Sequence, residues 1–280
     1  MSTPVPGERP HHEQVEDQAF RTALDLLDAG DAERLREHLE AYTELAHQHV
    51  SFEGNYFNNP TLLEFVAENP IRRGNLPANI VEAAQIILEA GAKTNKDAIN
   101  EALALVSSGR IARKCGVQVP LIDLLCAYGA DPNYGMHPAL AHGEFEAVTA
   151  LLARGARPDL PAAAALGQVD EARRLLAAAN ALDRHRALAL AAQFGRVEIV
   201  RLLLDAGEDP SRYNPPGFHG HSTPLHQAAL AGYEEVVRLL VERGARLDLK
   251  DTIWNGTPAG WARHEGRTAI AGYLAEQEAP

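Results

Sequence analysis

The sequence predicts an all-α helical repeat solenoid, with about eight pairs of short antiparallel helices stacked in order and short, irregular hairpins between pairs. Three observations carry that expectation. The segment FGRVEIVRLLLDAGEDP (194–210) aligns without a gap on AGYEEVVRLLVERGARLD (231–248), so that Gly195 meets Gly232 and Gly207 meets Gly244. The theme recurs in HGEFEAVTALLARGARPD (142–159), LGQVDEARRLLAAANALD (166–183), EGRTAIAGYLAEQ (265–277) and AGDAERLREHLEAY (29–42). Each copy has a two-helix build whose apolar faces only a neighbouring copy can cover, which is the defining constraint of a solenoid.

The best-formed copy shows how a unit is written. In TPLHQAALAG, Thr223 is placed as N-cap and Pro224 at the first helical position, followed by small residues up to the turn at Gly232. The second helix carries Val236, Val237, Leu239, Leu240 and Val241 on a wide apolar face, and Gly244 supplies the left-handed residue that ends it. In chain order, residues 1–14 read as a disordered tail, 15–50 as a charged N-terminal cap, and 51–133 as divergent repeats. Residues 134–250 read as regular or shortened repeats and 251–280 as a C-terminal cap, the whole of 15–280 forming one array. Within the divergent part, NNPTLLEFVAEN (58–69) and LPANIVEAAQIILEAGA (76–92) make one pair with PIRRGN inserted. NKDAINEALALVSSGR (95–110) and VPLIDLLCAYGADPN (119–133) make the next, with IARKCGVQ inserted.

TPLHQAALAGYEEVVRLLVERGARLDLKD resembles an ankyrin repeat along nearly its whole length, and GTPAGWARHEGRTAIAGYL (256–274) resembles a diverged last copy. The PTLLEFVAENP and LPANIVEAAQIILEAGA combination is similar to divergent bacterial members of that family. The resemblance implies L-shaped units whose hairpins project sideways, and a structural role for His226, and for His137 aligned with it, in bonding the tight turns of their own and adjacent units. In the family about 12 residues separate the glycine ending one second helix from the next threonine position, in a repeat of roughly 33 residues. Here Gly129 precedes Tyr134 by 5, Gly155 precedes Pro158 by 3, and Gly207 precedes Thr223 by 16. Two hairpins are therefore expected to be nearly missing, and residues 211–222 to protrude as a finger.

Composition narrows the partner. The formal net charge is −12, and residues 1–50 hold 11 acidic residues against 4 arginines and no lysine. Such a balance repels phosphate backbones and anionic lipid, which argues against nucleic acid or a membrane surface and for a protein with a basic surface. The N-terminal residues show no basic start with an apolar core, and no apolar run approaches 18 residues, so neither a signal peptide nor a membrane span is expected. Cys115 and Cys126 are the only cysteines, suited to a reducing cytoplasm and to apolar filling. There is no Gly-Lys-Ser/Thr phosphate loop, Gly-x-Ser-x-Gly elbow or His-Glu-x-x-His pair, and the carboxylates fall at solvated helix positions. The expectation is a monomeric, non-catalytic, cofactor-free binder of another protein.

The resemblance implies that partners lie along the concave groove, made by hairpin tips and the exposed side of each first helix. The two residues before each inter-helix glycine are placed there: Ser107 and Ser108, Ala141 and His142, Gln193 and Phe194, Leu230 and Ala231, His264 and Glu265. Of these, His142, Gln193, Phe194 and His264 are candidate contacts, joined by tip residues Tyr56, Phe57, Phe218, His219, Ile253 and Trp254. Phe194, Phe218, Trp254 and His142 are expected to be central, because rigid aromatic area makes interface anchors. Trp261 is expected to pack. His219 and His221 offer an alternative reading as metal ligands, which needs a third ligand that the pattern does not supply.

Overall fold

A computed structural model describes residues 15–51 and 57–278. All regular elements among them are helical, and the chain divides into two compact units, up to Arg157 and from Pro158. The expected all-helical fold is the observed one. The first unit holds α1 (Gln18–Ala29), α2 (Ala32–Ala41), α3 (Ile80–Glu89), α4 (Lys96–Ser107), α5 (Arg110–Lys114), α6 (Gln118–Ala127), α7 (Pro132–Ala141) and α8 (Phe145–Ala153). In one layer α1, the turn Leu62–Ala67, α4 and α7 stack in succession, while α2, α3, α6 and α8 form the other. The second unit repeats the scheme with α9 (Leu160–Leu166), α11 (Ala181–Gln193), α13 (Pro224–Ala231) and α15 (Pro258–His264) as first helices. Their partners are α10 (Val169–Leu176), α12 (Val197–Asp205), α14 (Glu234–Glu242) and α16 (Thr268–Glu278).

The starts of the first helices obey a common rule. Asp17, Asn95, Asp131, Asp159, Asn180 and Thr257 each accept a backbone N–H of the first turn, satisfying donors that the helix leaves open. Thr223 caps α13 as expected, with Pro224 at the first position. There His226 Nδ1 accepts the Thr223 N–H at 3.2 Å, so Nε2 carries the proton and donates to the Gly256 carbonyl at 3.1 Å. One imidazole thus fastens its own turn to the next unit's.

A second device sets the stacking distance. In the second unit Arg196, Tyr233 and Arg267, each following an inter-helix glycine, reach back over the glycine of the preceding pair. Arg196 lies on Gly167 and donates from Nε to the Ala165 carbonyl at 2.9 Å, and Tyr233 lies on Gly195. A Cβ on Gly195 would stand 2.6 Å from the Tyr233 ring, whereas one on Gly207 meets nothing within 4 Å. Both glycines have left-handed φ, +69° and +90°. Gly207→Ala is therefore expected to cost only the backbone term, about 1 kcal/mol, and Gly195→Ala about 2–3 kcal/mol because Tyr233 must also move. Urea unfolding of the two variants measures the difference, and equal losses would mean that Tyr233 is not seated.

Several elements depart from expectation. PTLLEF does not make an α-helix: Leu62–Ala67 is a 3-10 segment, and Glu68 leaves it at φ 48° so that its carboxylate can receive the amides of Arg72, Arg73 and Gly74 in the inserted loop. α5 begins at Arg110 and runs into the insertion IARKCGVQ. Residues 211–222 are not a bare extended finger but a folded segment. Asn214 N–H bonds the Ser222 carbonyl at 2.8 Å, and Phe218 is 2% exposed, with the Arg186 guanidinium 5.7 Å from its ring centre. The folded segment, rather than solvent, receives that ring. Phe57 is likewise buried, edge-on to Phe65 at 5.1 Å. Ser107 and Ala141 are buried too, because the last turns of α4 and α7 pack inside the first unit. Tyr56 and the tail 1–14 lie outside the described residues.

His185, buried in α11, titrates far from its usual range. Desolvation, reinforced by the positive charge of Arg212, pushes it down to about 4. The unfolded chain binds a proton below about 6.5 that the folded chain refuses until about 4. Stability is thus complete above 6.5 and falls as pH drops toward 4, by about 3 kcal/mol in total. His185→Gln is expected to flatten that slope in urea titrations, and an unchanged slope would refute the assignment.

Candidate functional site: an aromatic groove in the second unit

Asp251 organises the site. Its backbone N–H bonds the Gly256 carbonyl at 2.9 Å, closing a short turn. Within the turn Oδ1 accepts the amides of Ile253 (2.9 Å) and Trp254 (2.6 Å), while Oδ2 accepts the Gly256 amide (2.7 Å) and the Trp261 indole N–H (2.9 Å). Burial alone would raise the carboxyl, but the Trp254 amide, the indole and the Gly256 and Ile253 amides outweigh it and hold it at about 2. The result is a buried anion that fixes one tryptophan by its backbone and the other by its side chain. The segment before α13 is tied in as well, because Thr252 N–H bonds the His221 carbonyl at 2.9 Å.

Around this turn lies an open groove of about 660 Å³, lined by His219, His221, Gln227, Leu230, Trp254, Gly256, Gly260, Trp261, His264 and Glu265. Its rings pack edge to face, except for His221 and Trp261, which are tilted by 37°. His221 stands 5.4 Å from Trp254 and 5.8 Å from Trp261, the two indoles are 5.8 Å apart, and His219 is 6.0 Å from His221. Such contacts stiffen the wall. Trp261 is buried, as a packing residue would be, whereas Trp254 is 68% exposed and Ile253 61%.

The structure thus brings His219, Trp254 and His264 together, with the exposed Ile253 beside Trp254 in the turn and Gln193 reaching His219 at 3.4 Å. Phe194 caps the end of α11 and is half-buried. His142 is exposed at the end of α7 in the other unit. Phe218 and Phe57 are removed from the candidate set by their burial. His219 and His221 face each other's rings, and among the described residues no three His, Cys, Asp or Glu groups cluster as a metal centre would need. Sequence reasoning missed Asp251 and Gly260. The run DTIWNG does carry a signal for the former, since an aspartate before a glycine-closed turn commonly receives the turn's amides.

Residues 160–251 match the family profile described as ankyrin repeats, three copies, an extent that covers the pairs α9 to α14. Over 128 residues the chain is 34% identical to cyclin-dependent kinase 4 inhibitor B of Rattus norvegicus, covering 44% of this chain and 95% of that protein. The chain belongs to the ankyrin-repeat family. Within it, similarity extends to human cyclin-dependent kinase 4 inhibitor B (33% identity, 43% of this chain, 87% of the relative). Cyclin-dependent kinase inhibitor 2A of Monodelphis domestica is 30% identical, over 49% of this chain and 67% of the relative. The ankyrin repeats here depart from their usual outline at both short connections: Asp131 and Asp159 begin the next first helix almost directly after Gly129 and Gly155.

Proposed function

We propose that this ankyrin-repeat chain is a non-catalytic protein-binding module whose partner docks on the groove of the second unit. The observation that carries the reading is Trp254, a largely exposed indole whose backbone amide is bonded by the buried Asp251 carboxylate and whose ring packs edge to face on His221 and Trp261. A large apolar side chain fixed at a rim loses little entropy on docking, which is how interface anchors gain their weight. Gln193, Phe194, His219, Ile253 and His264 extend the contact, with His142 a contact on the first unit. The proposal includes one continuous array of repeats, a monomeric chain of bacterial cytoplasm, and a partner with a basic surface that the acidic N-terminal cap attracts. The relatives are by name inhibitors of cyclin-dependent kinases, so protein kinases are the first partner class to test.

Trp254→Ala is expected to leave the melting temperature within about 2 °C, since a surface substitution away from the core costs little. The same variant is expected to lose partner binding by tenfold or more, the usual effect of an anchor worth about 1.4 kcal/mol or more. Immobilised wild type and variant, compared against purified cyclin-dependent kinase 4 and by quantitative mass spectrometry of cell extract, provide the readout. Identical retention by both would exclude the groove as the docking site.

A further inference from the structure

We infer that the groove of the second unit is a receptor for an arginine side chain presented by the partner, an assignment that rests on the docking reading above and names its chemistry. Three features of the groove point the same way. Its lining contains a carboxylate, Glu265, and neither lysine nor arginine. Its walls are electron-rich rings, of which Trp254 presents most of its surface to solvent. Beneath them lies the Asp251 anion, whose Oδ2 accepts the Trp261 N–H at 2.9 Å. A carboxylate drawing on an indole N–H pushes electron density into the ring and deepens the negative potential over its face, so the wall attracts a cation more strongly than a lone tryptophan would.

The shape selects among cations. The two indoles meet edge to face at 5.8 Å, His221 meets Trp254 edge to face at 5.4 Å and lies tilted by 37° to Trp261, and Trp254 nevertheless stays largely exposed. What remains is an open face with a carboxylate on the same groove. A planar guanidinium can lie flat on such a face and donate two parallel hydrogen bonds to a carboxylate, which an ammonium cannot do. The chain already uses this contact internally: Arg238 lies 4.3 Å from the Tyr273 ring centre and Arg72 lies 5.0 Å from that of Phe65. Among the described residues no guanidinium of the chain lies over Trp254 or Trp261.

Gly260 completes the arrangement. It sits within α15, where glycine is a poor helix former, and an added Cβ would meet only Thr257 Oγ1, at 3.5 Å. Alanine therefore fits the fold, while its methyl group would add bulk to the groove lining.

The chain's two tryptophans are both in this groove, so indole fluorescence and the two indole N–H resonances report on it alone. The probes are acetylated Gly-Gly-X-Gly-Gly amides with X as arginine, lysine or citrulline, the last matching arginine in shape without its charge, titrated at pH 8. The arginine peptide is expected to shift both resonances saturably and to bind roughly tenfold more tightly than the citrulline peptide. Glu265→Gln and Trp254→Leu are each expected to weaken arginine binding roughly tenfold, and Gly260→Ala to do so without lowering the melting temperature. Equal binding of arginine and citrulline overturns the inference, as does a lysine peptide that equals arginine. Arginine binding undiminished in all three variants also overturns it, assigning the effect to general attraction by a chain of net charge −12. If partner capture still depends on Trp254 while arginine and citrulline behave alike, the arginine assignment alone fails. If capture is indifferent to Trp254, the docking reading itself fails.

Discussion

Arg72→Ala is expected to lower the unfolding free energy of the first unit by about 3–5 kcal/mol, the cost of removing one partner from a buried ion network. The Arg72 guanidinium, 2% exposed, lies 2.8 Å from Asp28 Oδ1 and 3.2 Å from Glu68 Oε2, and those carboxylates are 6% and 1% exposed. It also lies over the Phe65 ring. Without it, two carboxylates remain in a site that water hardly reaches, and only the half-exposed Arg73, 3.0 Å from Asp28, can respond. Arg73→Ala leaves the buried partners in place and is expected to cost about 1 kcal/mol or less, as exposed ion pairs do. Urea unfolding followed by far-ultraviolet circular dichroism distinguishes the two. Equal losses would mean that the network is hydrated and the burial argument wrong.

Asp251→Ala is expected to be nearly as damaging in the second unit, at about 2–4 kcal/mol, and to disable the groove at the same time. It deprives three turn amides and the Trp261 N–H of their acceptor. The indole N–H is the worst placed, because Trp261 is buried. Part of the contribution depends on pH. The folded carboxyl titrates at about 2 against 3.8 for the ordinary group, so its ionic stabilisation is complete above 3.8 and disappears as pH falls toward 2. That portion amounts to about 2 kcal/mol. Wild type and variant are therefore expected to converge as acid is added, which tryptophan fluorescence can follow because both indoles report on this turn. A stability gap independent of pH down to about 2 would show that the carboxylate is not the source.

Much of the scaffold was readable residue by residue. Thr223 and Pro224 announce the start of α13, and Gly232 and Gly244 adopt the left-handed conformation their positions require. The short connections after Gly129 and Gly155 follow from counting. The site was only partly legible. Trp254 and His264 were identified as surface residues, but Phe218 and Phe57 looked equally suitable and are buried. Asp251 resembled any turn aspartate until its four donors were in place. The exposure of an aromatic side chain depends on what folds against it, and nothing near Phe218 in the sequence states that residues 211–222 form a folded segment and that Arg186 covers the ring.

The sequence by itself determined the two-helix module, its caps and its repetition, because those features are set by interactions within a dozen residues: a left-handed glycine, a side chain bonding a first-turn amide, an apolar stripe at helical period. The tertiary structure alone decided which rings meet solvent and which charges are buried. Arg72 finds Asp28 from 44 residues away, and the groove draws on segments at 219–230, 254–256 and 260–265. Contacts between segments so far apart depend on how successive pairs stack, and that distance and angle are properties of packed surfaces rather than of any one stretch of chain.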